Sequence, residues 1–444
     1  MADITTPQTA AAWRHRVLWL AVPIILSNIT VPLVGIVDTA VMGRMDTPAY
    51  LSATAIAATL FSSIFWVFGF LRMGTSGLVA QALGAENQQR ASRTALRSMV
   101  LAVLFGLVLL LIGPFLFRAG MWTMNVSDQV HALASAYFTI RMCSAPATLM
   151  LYSIIGVLVA QQRMRAVLAT QLLLNLTNVA LTLLFFTYTD WHIRGVAAAT
   201  VLSEYLAMAF GLYLLWSPLR IRTVFNRSTP IAWLWDRQKL VEFFLIGGDL
   251  FVRTLCLTTA FYWLTVKSAS LGILVLAVNA VLIQMLHFMA HALDGFSHAA
   301  ETLAGHAYGK RDRVAIRSAV KAATFWALIM ALMFTVVYAL FGGTIFNLFT
   351  TQIEVQKAAR QWLWWIAITP LVGVWSFLLD GIFIGTTHTR EMRNGMMISL
   401  TVFILATMLL VPLYGNDGLW MSYCVLMLSR ALTLGYWFPA ILKF

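Results

Sequence analysis

Residues 23–43 read PIILSNITVPLVGIVDTAVMG, an apolar run with two prolines, Pro23 and Pro32, and one carboxylate, Asp38, near its far end. Its length and composition predict a membrane-spanning helix. An acidic side chain in hydrocarbon costs roughly 2.5–3.5 kcal/mol, so an acid in such a helix is a candidate functional residue. From a helix start near Val17, Asp38 lies about 30 Å along at 1.5 Å per residue, which also allows solvation at the headgroup boundary. Depth alone does not decide between these two interpretations.

The composition of the whole chain places this run in a membrane protein. Of 444 residues, 60% are hydrophobic and only 11% are charged, and the mean hydropathy is +0.82. So few charges cannot cover the surface of a water-soluble fold. The three cysteines lie far apart in apolar runs, which predicts neither a disulfide framework nor a metal site. We therefore expect an all-α integral membrane protein, because only helices or closed barrels satisfy the backbone polar groups in lipid.

The net charge of +13 follows the predicted topology and does not indicate a nucleic-acid partner. When Lys and Arg are counted in alternate loops, one side of the membrane carries 20 and the other carries 6. Four further arginines lie inside the predicted spans. The positive-inside rule explains such a bias and places both termini in the cytoplasm.

Apolar runs of spanning length recur along the chain and predict twelve transmembrane helices. They fall at 17–44, 50–82, 94–117, 130–160, 165–188, 194–216, 240–267, 273–307, 316–341, 355–385, 394–414 and 417–440. The polar and basic connection 217–239 lies between the sixth and seventh runs. It divides the chain into two predicted six-helix lobes, 1–216 and 240–444.

The two halves resemble each other in sequence. Gly156 and Arg165 correspond to Gly381 and Arg390 at an offset of 225 residues, and other matching pairs give offsets between 221 and 225. Offsets this constant indicate a duplicated six-helix unit, whose copies have the same orientation and are related by an axis along the membrane normal. Parallel repeats of this kind are a transporter architecture, in which the substrate binds between the halves and access alternates.

The acid of the first helix is absent from the second copy of the repeat. The same register carries Asp38 to about Tyr262, which favours a functional role for the carboxylate. On the fifth span, Asn175, Asn178 and Thr182 recur at spacings of three and four and share one helical face. Amides and hydroxyls that face a carboxylate can hydrogen-bond both the acid and its anion, which suits a proton or sodium switch. Ordinary interhelical hydrogen bonding is the alternative.

The most polar helical face of the chain lies on the eighth span. At spacings of four, three, four and three it carries His287, His291, Asp294, His298 and Glu301. The favoured interpretation is a polar lining of a cavity in the second half, followed by direct proton coupling and by packing near the cytoplasmic end. Zinc binding is the least favoured, because no second ligand cluster with matching chemistry is visible.

Asp380, on the tenth span, is the other acid in the middle of an apolar run. Glu204 on the sixth span and Asp249 on the seventh are weaker candidates, since each lies within reach of a helix end or an arginine. Arg253 follows Asp249 by one helical turn, and this spacing predicts a structural ion pair between them.

Stretches 28–43 and 77–84 resemble the multidrug and toxic compound extrusion (MATE) transporters. Segments 293–296, 300–301 and 379–385 resemble the DinF branch of that family in particular, and the resemblance covers both halves of the chain. It implies two pseudo-symmetric six-helix lobes in a V shape. It also implies export of small amphipathic or cationic organic compounds across a bacterial inner membrane in exchange for protons or sodium.

In the DinF branch, the first-helix acid is the coupling residue, so the resemblance assigns this role to Asp38. Its protonation is linked to bending of the first helix, for which Pro23 and Pro32 supply a hinge. The fifth-helix motif of the family usually ends in a second Asp, and Thr182 stands at that position here, which favours protons over sodium. The surrounding polar positions of the family correspond to Asn175, Asn178, Thr200 and Tyr137.

We therefore expect a monomeric secondary active multidrug efflux antiporter that uses no cofactor and binds no nucleic acid. A flippase or exporter for a lipid-linked or amphipathic metabolite would share the scaffold, and a hydrated basic cleft would favour it. An intramembrane transferase could use His291 and Asp294 as base and orienting group. This enzyme alternative requires a metal or an activated-donor site, and no Asp-rich or Gly-rich phosphate motif is present.

Overall fold

A computed structural model describes residues 9–45, 47–122, 127–218 and 231–443 of the chain. These described residues form helices and no strand, as expected for an all-α membrane protein. The described residues of the first half form eight helices, namely α1 (Ala10–Met42), α2 (Pro48–Val67), α3 (Phe70–Gly84), α4 (Gln88–Met121), α5 (Asp128–Met142), α6 (Ala145–Ala160), α7 (Met164–Tyr188) and α8 (His192–Trp216). After a short 3₁₀ helix (Ile231–Trp235) follow α9 (Arg237–Ser270), α10 (Ile273–Gly309), α11 (Arg313–Phe349), α12 (Ile353–Ala359), α13 (Leu363–Gly385) and α14 (Thr389–Ile441).

The helices differ from the predicted spans in two places. The predicted span 130–160 consists of α5 and α6, which meet at an angle of 50°. Helix α14 covers the last two predicted spans and is interrupted at Gly415, whose φ of +56° is a conformation that glycine adopts without strain. Within the described residues, eight helical segments are long and apolar enough to cross a membrane, and nine if the bent pair is one span. The count of twelve stays a prediction.

The chain folds into two compact units. The amino-terminal unit runs from Leu26 to Phe244, and the carboxy-terminal unit contains the chain from Leu245 onward together with the described residues up to Ile25. Helix α1 is therefore shared between the units, and Pro23 lies two residues before the point of division.

The lobe boundaries expected from the sequence rest on the internal repeat and not on these packing units. The division into 1–216, 217–239 and 240–444 therefore stays a prediction. Both hinge prolines lie inside α1, where proline removes an i to i−4 hydrogen bond. Pro23 is buried, whereas the side chain of Pro32 lies outside the described residues.

One pair of repeated glycines makes the same kind of helix contact in each unit. A Cβ atom at Gly156 on α6 would collide with the backbone carbonyl of Arg72 on α3. Its counterpart Gly381 on α13 packs against the carbonyl of Ser297 on α10 in the same way. Small residues allow the backbones of membrane helices to approach closely. The duplication read from the sequence is thus visible in the packing of both units.

Candidate cation-coupling site

Asp38 lies near the carboxyl end of α1, in the amino-terminal unit. Its side chain is partly buried, and its Oδ1 atom is shielded from solvent without accepting a hydrogen bond from any described residue. A buried acceptor without a partner loses the free energy of hydration, so such atoms are rare in folded proteins and require an explanation. Solvation at the headgroup boundary does not account for a shielded oxygen.

The polar face of α7 is buried and connects three helices. Asn175 donates a hydrogen bond from Nδ2 to Oγ1 of Thr30 on α1 at 2.7 Å, and Asn178 donates from Nδ2 to Oγ1 of Thr200 on α8 at 2.8 Å. The interhelical hydrogen bonding considered above is therefore present. It is incomplete, because the Oδ1 atom of Asn178 and the Oγ1 atom of Thr182 are buried and have no partner among the described residues.

A buried ion pair lies beside this network. Arg141, on α5, donates from Nη1 to Glu204 Oε1 on α8 at 3.1 Å and to Ser144 Oγ at 3.0 Å. The hydroxyl of Thr148 donates to the other carboxylate oxygen of Glu204. The side chains of Arg141 and Glu204 are 10% and 9% exposed, so the pair is removed from water.

Arg141 also joins the ion pair electrostatically to the predicted coupling residue. Its guanidinium lies within Coulombic range of Asp38 and beside the buried Tyr137. It also stacks over the ring of Phe61, 4.0 Å from the centroid. The sequence reasoning counted Arg141 only as a charge inside a span. The signal that could have identified it is its position in an apolar run, together with the acid Glu204 in a neighbouring span.

In the carboxy-terminal unit, the polar face of α10 forms local pairs. His291 Nδ1 lies 2.6 Å from the carbonyl oxygen of His287, and His298 Nδ1 lies 2.9 Å from Glu301 Oε2. Glu301 is fully buried, whereas Asp294 is partly exposed. Among the described residues, no three His, Cys, Asp or Glu side chains come together in a group that could hold a metal ion.

Asp380 is held between two arginines. Its Oδ2 atom accepts from Arg253 on α9 and from Arg430 on α14, the latter at 2.6 Å, and all three residues are at most 8% exposed. The predicted ion pair between Arg253 and Asp249 is wrong. Asp249 instead pairs with Arg393 at 2.7 Å, and Arg253 shares the buried carboxylate of Asp380 with Arg430.

Comparison with known proteins identifies the family of this chain. The family model described as MatE matches residues 23–184 and 250–413, which is most of the chain. This chain belongs to the MatE family. It is 38% identical over 436 residues to DNA damage-inducible protein F of Escherichia coli (strain K12), covering 96% of this chain and 94% of that protein. The resemblance to the DinF branch is thereby confirmed.

More distant relatives and solved structures agree with this assignment. A probable multidrug resistance protein NorM of Synechococcus is 25% identical, covering 94% of this chain and 91% of that protein. The fold matches the bent form of the Vibrio cholerae MATE transporter VcmN with a TM-score of 0.89 at 17% identity over 98% of each chain. It also matches a MOP superfamily transporter of Pyrococcus furiosus with a TM-score of 0.88 at 18% identity over 97% of each chain. These structures show the two-lobed, all-helical fold.

As a member of the MatE family, the chain is a multi-pass membrane transporter and not an enzyme. The transferase alternative, which assigned catalysis to His291 and Asp294, is therefore set aside. The roles of the individual site residues stay predictions. The structure brings together Asn175 with Thr30, Asn178 with Thr200, and Tyr137 with Arg141 near Asp38, and it places the second-lobe candidates in a separate unit.

Proposed function

We propose that this MatE-family protein exports small amphipathic organic compounds in exchange for protons, with Asp38 as the proton-carrying group. The observation that carries the proposal is the shielded Oδ1 atom of Asp38, which has no hydrogen-bond partner among the described residues. A carboxylate in this setting gains by taking a proton, because protonation removes a poorly solvated charge and supplies a hydrogen-bond donor. The cytoplasmic excess of positive charge in the loops supports an inner-membrane location with both termini inside.

Partners for the protonated acid are available on α7. Asp38 lies eight residues beyond Thr30 on α1, and Thr182 lies seven residues beyond Asn175 on α7. Both helices run in the same direction in the predicted topology, so both side chains lie about 10–12 Å from the Thr30–Asn175 hydrogen bond along the helix axis. Asn178 Oδ1 and Thr182 Oγ1, which have no partner among the described residues, can accept a hydrogen bond from a neutral Asp38.

Movement of α1 couples this switch to transport. The helix belongs to one packing unit up to Ile25 and to the other from Leu26, and Pro23 interrupts its hydrogen-bond ladder beside that point. New hydrogen bonds from protonated Asp38 to α7 pull the second part of α1 toward that helix and bend it at Pro23 and Pro32. Substrate and proton binding are then mutually unfavourable, which is the negative coupling that exchange requires.

The test is export of ethidium, an amphipathic cation, from proteoliposomes under an imposed pH gradient. We expect Asp38→Asn to lose pH-driven export by at least about tenfold, because an amide carries no exchangeable charge. The matched control is Asp128→Asn, the same substitution at an exposed position in the first turn of α5. This variant keeps export within about twofold of the unsubstituted protein, since an exposed acid contributes little.

The same liposomes separate the proposal from its alternatives. Ethidium-independent movement of a labelled lipid, with no response to the pH gradient, would replace drug–proton exchange by lipid flipping. Wild-type export from Asp38→Asn with an intact pH response would remove Asp38 from the mechanism.

A further inference from the structure

We propose that the carboxy-terminal unit binds the headgroup of an anionic phospholipid in a cleft between the start of α1 and the start of α11. The ligand class is a lipid with one negatively charged phosphodiester and two acyl chains, such as phosphatidylglycerol. This inference goes beyond the proposed function, because it depends neither on the ion nor on the substrate that the protein exchanges.

The cleft has a volume of about 390 Å³ and lies within one packing unit. Its walls are formed by residues between 9 and 14, at the start of α1, and by residues between 312 and 322, at the start of α11. The two helices are in direct contact beside it, where Trp326 Nε1 donates to the backbone carbonyl oxygen of Arg14 at 3.0 Å. The cleft is therefore formed by two helices that pack against each other.

Positive charge predominates in the cleft. Its charged side chains are Arg14, Lys321 and Asp312. Within the described residues, neither Arg14 nor Lys321 pairs with a carboxylate. Asp312 Oδ1 accepts from the backbone N–H of Ala315 at 2.9 Å and so caps α11, and residues 310–321 contain five Lys and Arg but one acid. A phosphate group supplies the negative charge that these side chains can bind.

An exposed apolar stripe continues from the cleft along the same face of α11. Lys321 is followed, at spacings of four, four, three and four, by Phe325, Ile329, Leu332 and Val336, which are 37–54% exposed. The stripe extends about 22 Å from Lys321 at 1.5 Å per residue, which is enough to cover one leaflet of the hydrocarbon core. On α1, Val22 lies two turns beyond Arg14 and is 41% exposed. A soluble phosphate would use the cleft alone, whereas a phospholipid also covers the stripe with its acyl chains.

The boundary between the cleft and the stripe has the composition of a membrane interface. The guanidinium of Arg14 stacks over the ring of Phe325, 4.0 Å from its centroid, and Trp326 follows directly in the chain. Aromatic side chains are enriched at the level of the headgroups. The predicted topology places this end of both helices on the cytoplasmic side, where basic pockets between helices bind anionic headgroups.

The test is the unfolding temperature of purified protein in dodecyl maltoside, titrated with phosphatidylglycerol or with phosphatidylcholine of the same acyl chains. A ligand that binds the folded state raises this temperature. We expect phosphatidylglycerol to raise it at lower concentrations than phosphatidylcholine, which carries no net charge. Glycerol 3-phosphate at the same concentrations should have no effect, because it lacks the acyl chains.

The decisive variant is Lys321→Gln, which removes one charge of the cleft from an exposed side chain. The concentration of phosphatidylglycerol at half-maximal effect should rise about fivefold, as expected for one cation near a membrane surface. Adding Arg14→Gln should bring the rise to about 25-fold. The matched control is Lys310→Gln, the same substitution at an exposed position of the same basic run that does not line the cleft. Its half-maximal concentration should stay within about twofold of that of the unsubstituted protein.

Three outcomes would overturn the inference. Equal responses to the two lipids would mean that the headgroup charge is not recognised. Equal weakening in Lys321→Gln and Lys310→Gln, or no weakening in a folded Lys321→Gln protein, would mean that the lipid responds to the overall charge and not to the cleft. A rise with glycerol 3-phosphate at the same concentrations would assign the cleft to a soluble phosphate compound instead of a lipid.

Discussion

One pair of positions recurs in both units. Among the described residues, its side chains form an interhelical hydrogen bond in the carboxy-terminal unit and none in the amino-terminal unit. The offset of 225 residues that relates Arg165 to Arg390 also takes Asp38 to Trp263 and Thr182 to Thr407. In the carboxy-terminal unit, Trp263 Nε1 donates to Thr407 Oγ1 at 2.8 Å, and the Thr407 hydroxyl donates to a backbone carbonyl of its own helix. In the amino-terminal unit, the Oδ1 atom of Asp38 and the Oγ1 atom of Thr182 are both buried, and neither has a partner in the part of the chain that the structure describes.

This difference is consistent with the proposal that one copy of the duplicated fold carries a switch. A satisfied hydrogen bond between two helices holds one arrangement, as Trp263 and Thr407 do. Unsatisfied polar atoms at the corresponding positions destabilise the described arrangement and allow a competing one to form when the acid changes charge. The sequence register pointed to about Tyr262 as the counterpart of Asp38. Tyr262 is 69% exposed, and the neighbouring Trp263 makes the interhelical bond instead.

The acids Asp38 and Asp380 also differ in their ion-pair partners. Asp380 is ion-paired with Arg253 and Arg430 in a buried cluster. Asp38 has Arg141 nearby, but that guanidinium is bound to Glu204. This difference is the reason for proposing Asp380 as a structural group and Asp38 as the group that exchanges a proton.

The largest expected effect is on stability, from Asp380→Asn. Neutralising this carboxylate leaves two buried guanidinium groups without their shared counter-ion, and breaking a buried ion pair costs about 3–5 kcal/mol. We expect a clear fall in the unfolding temperature and in the yield of monodisperse protein. Purified variants in detergent, followed by intrinsic tryptophan fluorescence during heating, provide the measurement.

Asp38→Asn is the matched comparison, because it makes the same chemical change at the other acid. Its unfolding temperature should equal or exceed that of the unsubstituted protein, since a poorly solvated charge is removed. Equal losses in the two variants would contradict the division into a structural acid and an exchanging acid.

Much of the fold was predictable because membrane insertion imposes strong rules on sequence. Long apolar runs, few charges and a loop bias in Lys and Arg suffice to predict an all-helical multi-pass protein. The breaks were harder to predict. Hydropathy does not distinguish the interruption between α5 and α6, at Cys143 and Ser144, from a continuous span. The local signal is Pro146 in the first turn of α6, because proline favours the start of a helix.

The candidate site was predictable one helix at a time. Periodicity places Asn175, Asn178 and Thr182 on one face of α7, and all three are buried there. The partners across helices were not predictable, because periodicity gives a direction and no neighbour. The Arg141–Glu204 pair joins residues 63 positions apart, and the preference of Arg253 for Asp380 over Asp249 depends on tertiary packing.

A smaller effect is expected from Thr407→Val in the carboxy-terminal unit. The change keeps the shape of the side chain but removes the acceptor of Trp263 Nε1 and the donor to the carbonyl of Ile404. Loss of a hydrogen bond whose partner stays buried costs about 1–3 kcal/mol. We expect a modest fall in the unfolding temperature with pH-driven ethidium export retained. Loss of export without loss of stability would place Thr407 in the transport pathway instead.

The smallest effect on stability is expected from Thr182→Val, the same substitution at the corresponding position of the amino-terminal unit. The hydroxyl of Thr182 has no partner among the described residues, so its removal should leave the unfolding temperature unchanged or slightly raised. Export should nevertheless respond, because the protonated state of Asp38 loses one acceptor worth about 1 kcal/mol, equivalent to about fivefold in the protonation equilibrium. The pH of half-maximal export should therefore fall by about 0.7 pH units, because a less stable protonated form of Asp38 requires a higher proton concentration. The opposite outcome is a Thr182→Val protein that loses as much stability as Thr407→Val and keeps its pH profile. The two positions would then have the same structural role, and the asymmetry between the units would have another origin.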